Sequence, residues 1–555
     1  MKRVIAGMLT VVMMLSLIGC GGGKTQNLDS TDKETVESVA GDNAQDDMLE
    51  PFSKYPETVT ITQGIVEPVL TNLPEGDTLE DNLFSRYIKD KINVEVDYAW
   101  TVAQDAYAQK VTLSIANKDM PDTLIVDELT LQQLVEADMI LPLDEYYEKT
   151  LCDEIKSYYD SYNGRILEPV TFDGQIMALP SCKLAGEHML VWVRKDWMDK
   201  LGLSEPKTLE DIKMIAKSFV ENDPDGNGKD DTIGIPVAPE VAGYYNWMYL
   251  LDTVFGLYDA YPRQWIKNAD GEIIYGSIAP EMKTALTEIN AMYEEGIIDR
   301  QFAVRQQGND ASTLIANDQC GIFFGPWYAP YWPLNDSVKN NPDADWKPYL
   351  APVDANGQVK TVTQNPSGEY LVISKDCENP EAVIKTLNVV ECARKGFLED
   401  AKDIISLNNG TAGVWPVNLV LDYEDAVFRY YEAIDNAIKE GNGDDLPYFY
   451  KTGYDAYIKN QESPRTNSSD WAEATARYEG QALTSGEQIA RKEIAFYGKT
   501  ASMELKWGML EKMYDETVIK IIIGELPVDA FDTFVEEWKQ AGGDEITQEV
   551  REMVK

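Results

Sequence analysis

Two residue periods alternate along this chain, and that alternation limits its fold more than any other feature. Thr58-Val59-Thr60-Ile61-Thr62 alternates branched residues with the two-residue period of a strand, and Ile92-Asn93-Val94-Glu95-Val96 repeats it after a helical stretch. Further on the period lengthens. Leu209, Ile212, Ile215 and Phe219 share one helical face behind Thr208, which can cap the helix with Asp211 three residues later. Asn379-Pro380-Glu381 predicts another helix, with proline at its first position. Near the end Val528, Phe531, Phe534, Val535 and Trp538 make an apolar stripe closed by Gly542-Gly543. Strands that alternate with helices predict an α/β body, mostly helical after about residue 376. At 555 residues the chain is several domains long, so two or more lobes are expected. A core of that size needs no disulfides.

Charge removes several function classes. The chain carries 95 acidic against 49 basic residues, a net charge of −46. Such a field repels a phosphate backbone and argues against nucleic-acid binding. One histidine, His188, leaves no histidine set for zinc and argues against a Ser–His–Asp triad. No GxxxxGK[ST] loop is present to cradle a nucleotide.

The amino terminus reads as an address. Lys2 and Arg3 precede an apolar run from Val4 to Ile18, too short to span a bilayer. It ends in Leu17-Ile18-Gly19-Cys20, which resembles a bacterial lipobox, so residues 1–19 are expected to be removed and Cys20 to carry lipid. Residues 20–56 open with Gly21-Gly22-Gly23 and are polar enough to read as a disordered tether. The body is therefore expected outside the cytoplasm, lipid-anchored to the outer face of the cell membrane. Beyond Cys20, the five cysteines Cys152, Cys182, Cys320, Cys377 and Cys392 show no tight spacing and read as buried apolar residues.

Two local patterns carry chemistry. In Asp223-Pro224-Asp225-Gly226-Asn227-Gly228-Lys229-Asp230-Asp231, oxygen side chains fall at loop positions 1, 3, 5 and 9 with glycine at 6, the EF-hand spacing. Asp223, Asp225, Asn227 and Asp231, with the Lys229 carbonyl, are candidate ligands of a structural calcium ion. Position 12 is Gly234 instead of glutamate, so a last ligand must come from elsewhere; a polar surface loop is the alternative. The second pattern is Gly321-Ile322-Phe323-Phe324-Gly325-Pro326-Trp327-Tyr328-Ala329-Pro330-Tyr331-Trp332-Pro333, an apolar strand running into a Gly-Pro corner and four aromatics in six residues. Rings with polar tips on a stiff loop suit sugars, whose flat apolar face stacks while hydroxyls reach Tyr OH or Trp NH. Trp327, Tyr328 and Trp332 are the leading candidates, against the alternative of an aromatic patch that packs two layers. Trp100, Trp247, Trp265 and Trp415 lie in loop or strand-end sequence and extend the candidate set.

These features together resemble the extracellular solute-binding lipoproteins of bacterial ABC transporters, the family that includes maltose-binding protein. Its large Gram-positive carbohydrate-binding branch and the alginate-binding relatives are the most similar. Asn117-Lys118-Asp119-Met120-Pro121-Asp122 is similar to the family's loop before a strand and adds Asp122 as a ligand candidate. Gly174-Gln175-Ile176-Met177-Ala178-Leu179-Pro180 resembles its approach to the first interlobe crossing. Val193-Arg194-Lys195-Asp196-Trp197, followed by Lys200-Leu201-Gly202-Leu203 and Pro206-Lys207-Thr208, resembles the opening of its second lobe. Gly325-Pro326-Trp327 resembles the corner whose Trp stacks on sugar. The Asp223 loop resembles a calcium loop of the alginate-binding branch, departing from it with Thr232 where a glutamate is common.

The resemblance implies a type II periplasmic-binding-protein fold: two α/β lobes joined by a hinge, with the ligand cleft between them. Residues 57–187 plus about 369–450 are expected to form lobe 1, and 188–368 plus about 451–555 lobe 2. It further implies a monomeric, non-enzymatic receptor that hands an oligosaccharide to the permease subunits of an ABC importer. Two alternatives stay open: a surface glycoside hydrolase or lyase, and the same scaffold binding a peptide or other non-sugar solute. With 95 acidic residues, a carboxylate pair in one cleft would by itself identify no hydrolase. Replacing the thiol, Cys20→Ala, is expected to move the protein from the membrane fraction to the soluble one; fractionation equal to wild type refutes the anchor.

Overall fold

The computed structural model of the chain describes residues 47–68, 73–182, 188–305, 309–401, 404 and 415–554. Cys20, the signal segment and most of the expected tether lie outside the described residues. The body begins earlier than the sequence predicts. Tyr55 is core, its N–H donating to Ile92 O at 3.0 Å and its hydroxyl to Glu381 at 2.8 Å. Phe52 and Met48 pack beside it, so residues 48–56 belong to the fold and not to the tether.

The first sheet has the strand order Val94–Val102, Val59–Val66, Thr123–Val126, Tyr370–Ile373, Leu179–Pro180. The first three are parallel, as strand–helix–strand units require. Helix Leu83–Ile92, capped reciprocally by Asn82 and Ser85, makes the first crossover. Tyr370–Ile373 runs antiparallel to both its neighbours. Its alternate side chains serve two cores. Leu371 and Ile373 join Phe84, Ile88, Tyr158, Tyr159 and the buried helix Pro380–Arg394 on one face. Tyr370 and Val372 join Val111, Leu131 and Leu134 on the other. That is a helix–sheet–helix sandwich.

The second sheet orders Ile322–Gly325, Leu190–Arg194, Trp346–Tyr349, all antiparallel. Leu209–Glu221 packs on it with the Thr208–Asp211 capping box that the sequence predicts. Helices Glu281–Glu294, Ala501–Ile522, Ala530–Trp538 and Asp544–Met553 complete this second core. Arg194 is buried among aromatics, 4.5 Å from the Trp197 ring, and held by Asp196 and Asp318. Gly321 is required beside it, because a Cβ there would lie 2.4 Å from the Trp197 ring.

The expected lobe boundary needs correction. Helix Ala426–Glu440 packs on Tyr448–Glu462 and puts Val427 into the second core, so the lobe boundary falls near 425 and not 450. The tail is mostly helical, as the sequence predicts, and carries two short strands. Ile489–Lys492 pairs in parallel with Val359–Val362, and Ile494–Phe496 pairs with Trp265–Lys267. The five cysteines are buried and unbridged. Among the described residues, no helix is long and apolar enough to cross a membrane.

Each lobe has a fully buried carboxyl group whose proton affinity is strongly raised. Burial pushes Asp252 up to about 7, and burial likewise pushes Glu391 up to about 7 against the attraction of Lys395 and Arg394. Between the ordinary carboxylate range and about pH 7, the folded protein therefore holds protons that the unfolded chain releases. Stability should fall as pH rises through that window, with the penalty complete above about 7. Thermal melts from pH 5 to pH 8 should show this decline. Asp252→Asn and Glu391→Gln should each flatten part of it, by on the order of a few kcal/mol. An unchanged slope in both variants refutes the assignment.

Candidate functional site

Strand register fixes which edge of each sheet faces the other lobe. The chain leaves the first sheet at Pro180 and joins the second at Leu190, which pairs with Gly325. It returns after Val362 and re-enters the first sheet at Tyr370, which pairs with both Val126 and Pro180. The carboxyl ends of Val59–Val66 and Thr123–Val126 therefore lie at the crossing end of the first sheet, and the Gly325 corner lies at the crossing end of the second. Ligands of open α/β sheets sit at such carboxyl edges.

At that edge of the first sheet lies a pocket of about 560 Å³, walled by Gly64–Pro68, Tyr98, Tyr107, Trp415 and three carboxylates, Glu67, Asp127 and Glu369. Trp415 was a sequence candidate, and the structure brings it here. Its ring lies 4.1 Å from Phe84 and is 3% exposed, while its indole Nε1 is buried with no hydrogen-bond partner among the described residues. Trp100 stands beside the pocket, packed on Tyr107 at 5.5 Å, and its ring crosses Gly64 so closely that a Cβ there would sit 2.2 Å away. Tyr107 is fixed by donating to Ile125 O at 2.8 Å. Asp122 is placed elsewhere. It precedes the amino end of Thr123–Val126, away from the crossing end, where its carboxylate accepts from Thr62 N at 2.7 Å and Thr62 Oγ1 at 2.8 Å. Those bonds make it a clasp between strands.

On the second lobe, two loops meet at the Gly325 corner. Trp327 is 7% exposed: Arg477 lies 5.1 Å over its ring and Gly480 packs against its backbone, so its indole fills the corner. The open rings are its neighbours Tyr331 and Trp332, the latter 38% exposed. Tyr328 donates to Asn246 O at 2.6 Å and ties this loop to residues 241–249. There Trp247 is 57% and Tyr244 52% exposed. Val241, Tyr245 and Tyr249 all have φ near +60°, a left-handed conformation costly for such residues and concentrated at functional loops. Surrounding bonds hold it. Asp252 accepts from Gly243 N at 2.6 Å, Arg263 Nε donates to Ala242 O at 3.1 Å, and Gln264 Nε2 donates to Gly243 O at 3.0 Å. Arg263 also lies 5.3 Å from the Tyr244 ring and is anchored by Glu511 and Asp515. Trp265 departs from expectation: it stacks among Tyr275 and Trp507 in the second core, because its strand is covered by the carboxyl-terminal helices.

The sequence reading missed Tyr98, Tyr107, Glu67, Asp127, Glu369 and Tyr244. Tyr244 carried a usable signal, since residues 244–249 hold four aromatics in six, the density that singled out residues 327–332. The pocket carboxylates carried none in so acidic a chain.

The aspartate loop brings its oxygens together. Asp223 accepts backbone N–H groups from Gly226, Asn227 and Gly228 at 3.0–3.2 Å. The Asn227 amide nitrogen stands 2.6 Å from Asp225 and 3.0 Å from Asp231. Hydrogen bonding to Asp225 holds Asp223 below the usual carboxylate range, while partial burial and Asp223 push Asp225 up. An all-oxygen set crowded in this way suits a hard cation. The departure at position 12 has a steric cause: a Cβ on Gly234 would lie 2.2 Å from Ile297 O, so glutamate has no room. Gln319, 3.2 Å from Asp231, and Lys200, which donates to Pro224 O at 2.8 Å, reach the loop from outside it.

Comparison with known proteins gives these features a frame. Residues 71–391 match the family model of the bacterial extracellular solute-binding protein. The polygalacturonan/rhamnogalacturonan-binding protein YtcQ of Bacillus subtilis is 24% identical over 478 residues, 84% of this chain and 87% of that one. Lipoprotein LipO of the same organism is 24% identical over 557 residues, 97% of this chain and 96% of that one. The fructooligosaccharide ABC transporter substrate-binding protein FusA of Streptococcus pneumoniae is 25% identical over 326 residues, 56% of this chain and 57% of that one. The FusA structure in complex with kestose superposes with a TM-score of 0.57 at 16% identity, covering 89% of this chain and 98% of that one. An EF-hand mutant of FusA gives the same score. Such likeness carries the type II two-lobed solute-binding fold. With the family model spanning more than half of the sequence and the remaining strands and helices completing that fold, the chain belongs to the bacterial extracellular solute-binding proteins.

Proposed function

We propose that this protein is a non-catalytic receptor that captures an oligosaccharide between its lobes and delivers it to the permease subunits of an ABC importer. The observation that carries the ligand class is the Trp415 indole N–H, buried without a partner among the described residues in a carboxylate-lined pocket. An orphaned donor costs about 1–3 kcal/mol, which a sugar hydroxyl can offset while the neighbouring carboxylates accept others. The opposing wall supplies the stacking rings Tyr331, Trp332, Tyr244 and Trp247. Relatives named for polygalacturonan, rhamnogalacturonan and fructooligosaccharide support a saccharide over a peptide. In this reading the protein works as a monomer outside the cytoplasm, held by lipid on Cys20, and hinge closure presents the loaded form to the importer. Asp223, Asp225, Asn227, Asp231 and the Lys229 carbonyl would hold calcium, which would brace the loop and take no part in chemistry.

A thermal-shift panel of oligosaccharides and peptides tests the receptor. A ligand at 100 times its dissociation constant should stabilise by about 2.7 kcal/mol. Product analysis of the same mixtures should find every saccharide intact, and a cleaved product refutes the non-enzymatic reading. Trp247→Ala should weaken saccharide binding by roughly 5- to 150-fold, for a stacking loss of about 1–3 kcal/mol, with little change in melting temperature. Trp327→Ala should instead lower the melting temperature more than the affinity, because its ring is packed. The reverse pattern moves the site to Trp327.

Chelation should lower the melting temperature without unfolding the protein, since both cores are independent of the loop. Asp225→Ala should reproduce the loss and become insensitive to chelator. No calcium in the purified protein, with a melting temperature that chelator leaves unmoved, refutes the cation.

A further inference from the structure

A second pocket, of about 370 Å³, lies where the crossing segments meet, and its chemistry is opposite to that of the first. Arg165, Arg429 and Arg491 line it with Gln364, against two carboxylates, Glu424 and Asp425. In a chain with nearly twice as many acidic as basic residues, a basic surplus in one cavity is a local reversal. The pocket at the sheet edge, by contrast, is lined by three carboxylates and no lysine or arginine.

We infer that this hinge pocket selects a carboxylate-bearing sugar unit, so that the captured oligosaccharide is an acidic one; the inference rests on the reading of the protein as an oligosaccharide receptor.

Three observations support it. Gln364 lines the pocket, and its Nε2 is buried without a hydrogen-bond partner among the described residues, a donor left unsatisfied in the wall. The guanidinium groups are set in place by the fold. Arg165 pairs with Glu424, and Arg429 pairs with Asp425 while lying 4.1 Å over the Tyr423 ring. Arg491 bridges from the Ile489–Lys492 strand, and burial pulls its guanidinium below its ordinary proton affinity, with the Glu424 carboxylate opposing. A ligand carboxylate entering the pocket would offset that desolvation, and arginine's planar fork suits it.

The two pockets have separate linings, and two stretches of chain run from one to the other. Gln364 and Gly368 lie on one crossing segment, Asn418 and Glu424 on another, and each pair brackets the gap between the pockets. At ~3.3 Å per extended residue the separation is at most about 20 Å. One linear ligand can then place an acidic unit at the hinge and neutral hydroxyls against Glu67, Asp127 and Glu369. The Thr363 and Ser485 side chains in the hinge pocket offer hydroxyl partners for the rest of that acidic sugar ring.

Calorimetry on the full-length protein would compare trimers of galacturonate, glucuronate, mannuronate and guluronate, each beside its carboxyl-reduced neutral counterpart. Free galacturonate and inorganic phosphate serve as the small-anion arms. At least one tri-uronate should bind about tenfold or more tighter than its neutral counterpart, with an advantage that shrinks as salt is raised. Arg429→Gln and Arg491→Gln should each lower that acid-to-neutral ratio. Gln364→Glu, which sets a like charge in the wall, should lower it further, and melting temperatures report whether each variant is folded. If neutral trimers bind as tightly as the acidic ones, the inference is overturned while the receptor stands. An acid preference untouched by all three folded variants overturns the location. Phosphate or free galacturonate matching the best tri-uronate overturns the acidic oligosaccharide in favour of a small-anion site. Failure of every trimer overturns the inference, and the wider saccharide panel then decides the receptor reading separately.

Discussion

Strand Tyr370–Ile373 arrives from the second lobe and inserts between Thr123–Val126 and Leu179–Pro180, hydrogen-bonded to both. The rest of the molecule depends on that insertion. Without it the Leu179–Pro180 edge has no partner in the sheet, and the two cores that flank it lose the residues that alternate between them, Leu371 and Ile373 on one side, Tyr370 and Val372 on the other. Because the strand runs against its neighbours, its first residue lies at the carboxyl edge of the parallel strands. The point of return from the other lobe and the natural ligand edge of the sheet thus coincide. The cleft follows from the register.

Local features then divide the labour around that cleft. On one wall, Gly64 admits the Trp100 ring, which backs Tyr107, which lines the pocket. On the other, a strained loop presents Tyr244 and Trp247 because Asp252, Arg263 and Gln264 hold its backbone from beneath. The two lobes differ in kind at their crossing ends, carboxylates and a buried indole donor on the first against exposed rings on the second. Charge is equally divided, with acid at the sheet edge and guanidinium groups at the hinge.

Much of this was legible in the sequence, and the gaps have physical causes. Strand and helix periods gave the α/β body, and the Thr208–Asp211 box and the Asn379-Pro380 start are where the pattern put them. Burial of the cysteines was legible too. The aromatic corner at Gly325 was found, but sequence cannot say which ring a distant side chain covers, and Arg477, 150 residues later, covers Trp327. Asp122 looked available because its partner, Thr62, is remote in sequence and adjacent only through strand pairing. Trp265 sits at a strand end, yet helices from the far end of the chain bury it. The short strand Ile489–Lys492 pairs with residues more than a hundred positions away, a contact that no local period reports.

The three crossings between the lobes have a mechanical consequence. A single linker lets two bodies swivel and twist in every direction, whereas chain passing between the same two lobes after Pro180, near residues 363–369 and near residue 425 removes most of those freedoms. What remains is close to rotation about one axis. A two-lobed body limited in this way opens and closes along a single path, with the angle between the lobes as its one variable. Anything that inspects only the outer surface then reads that one angle.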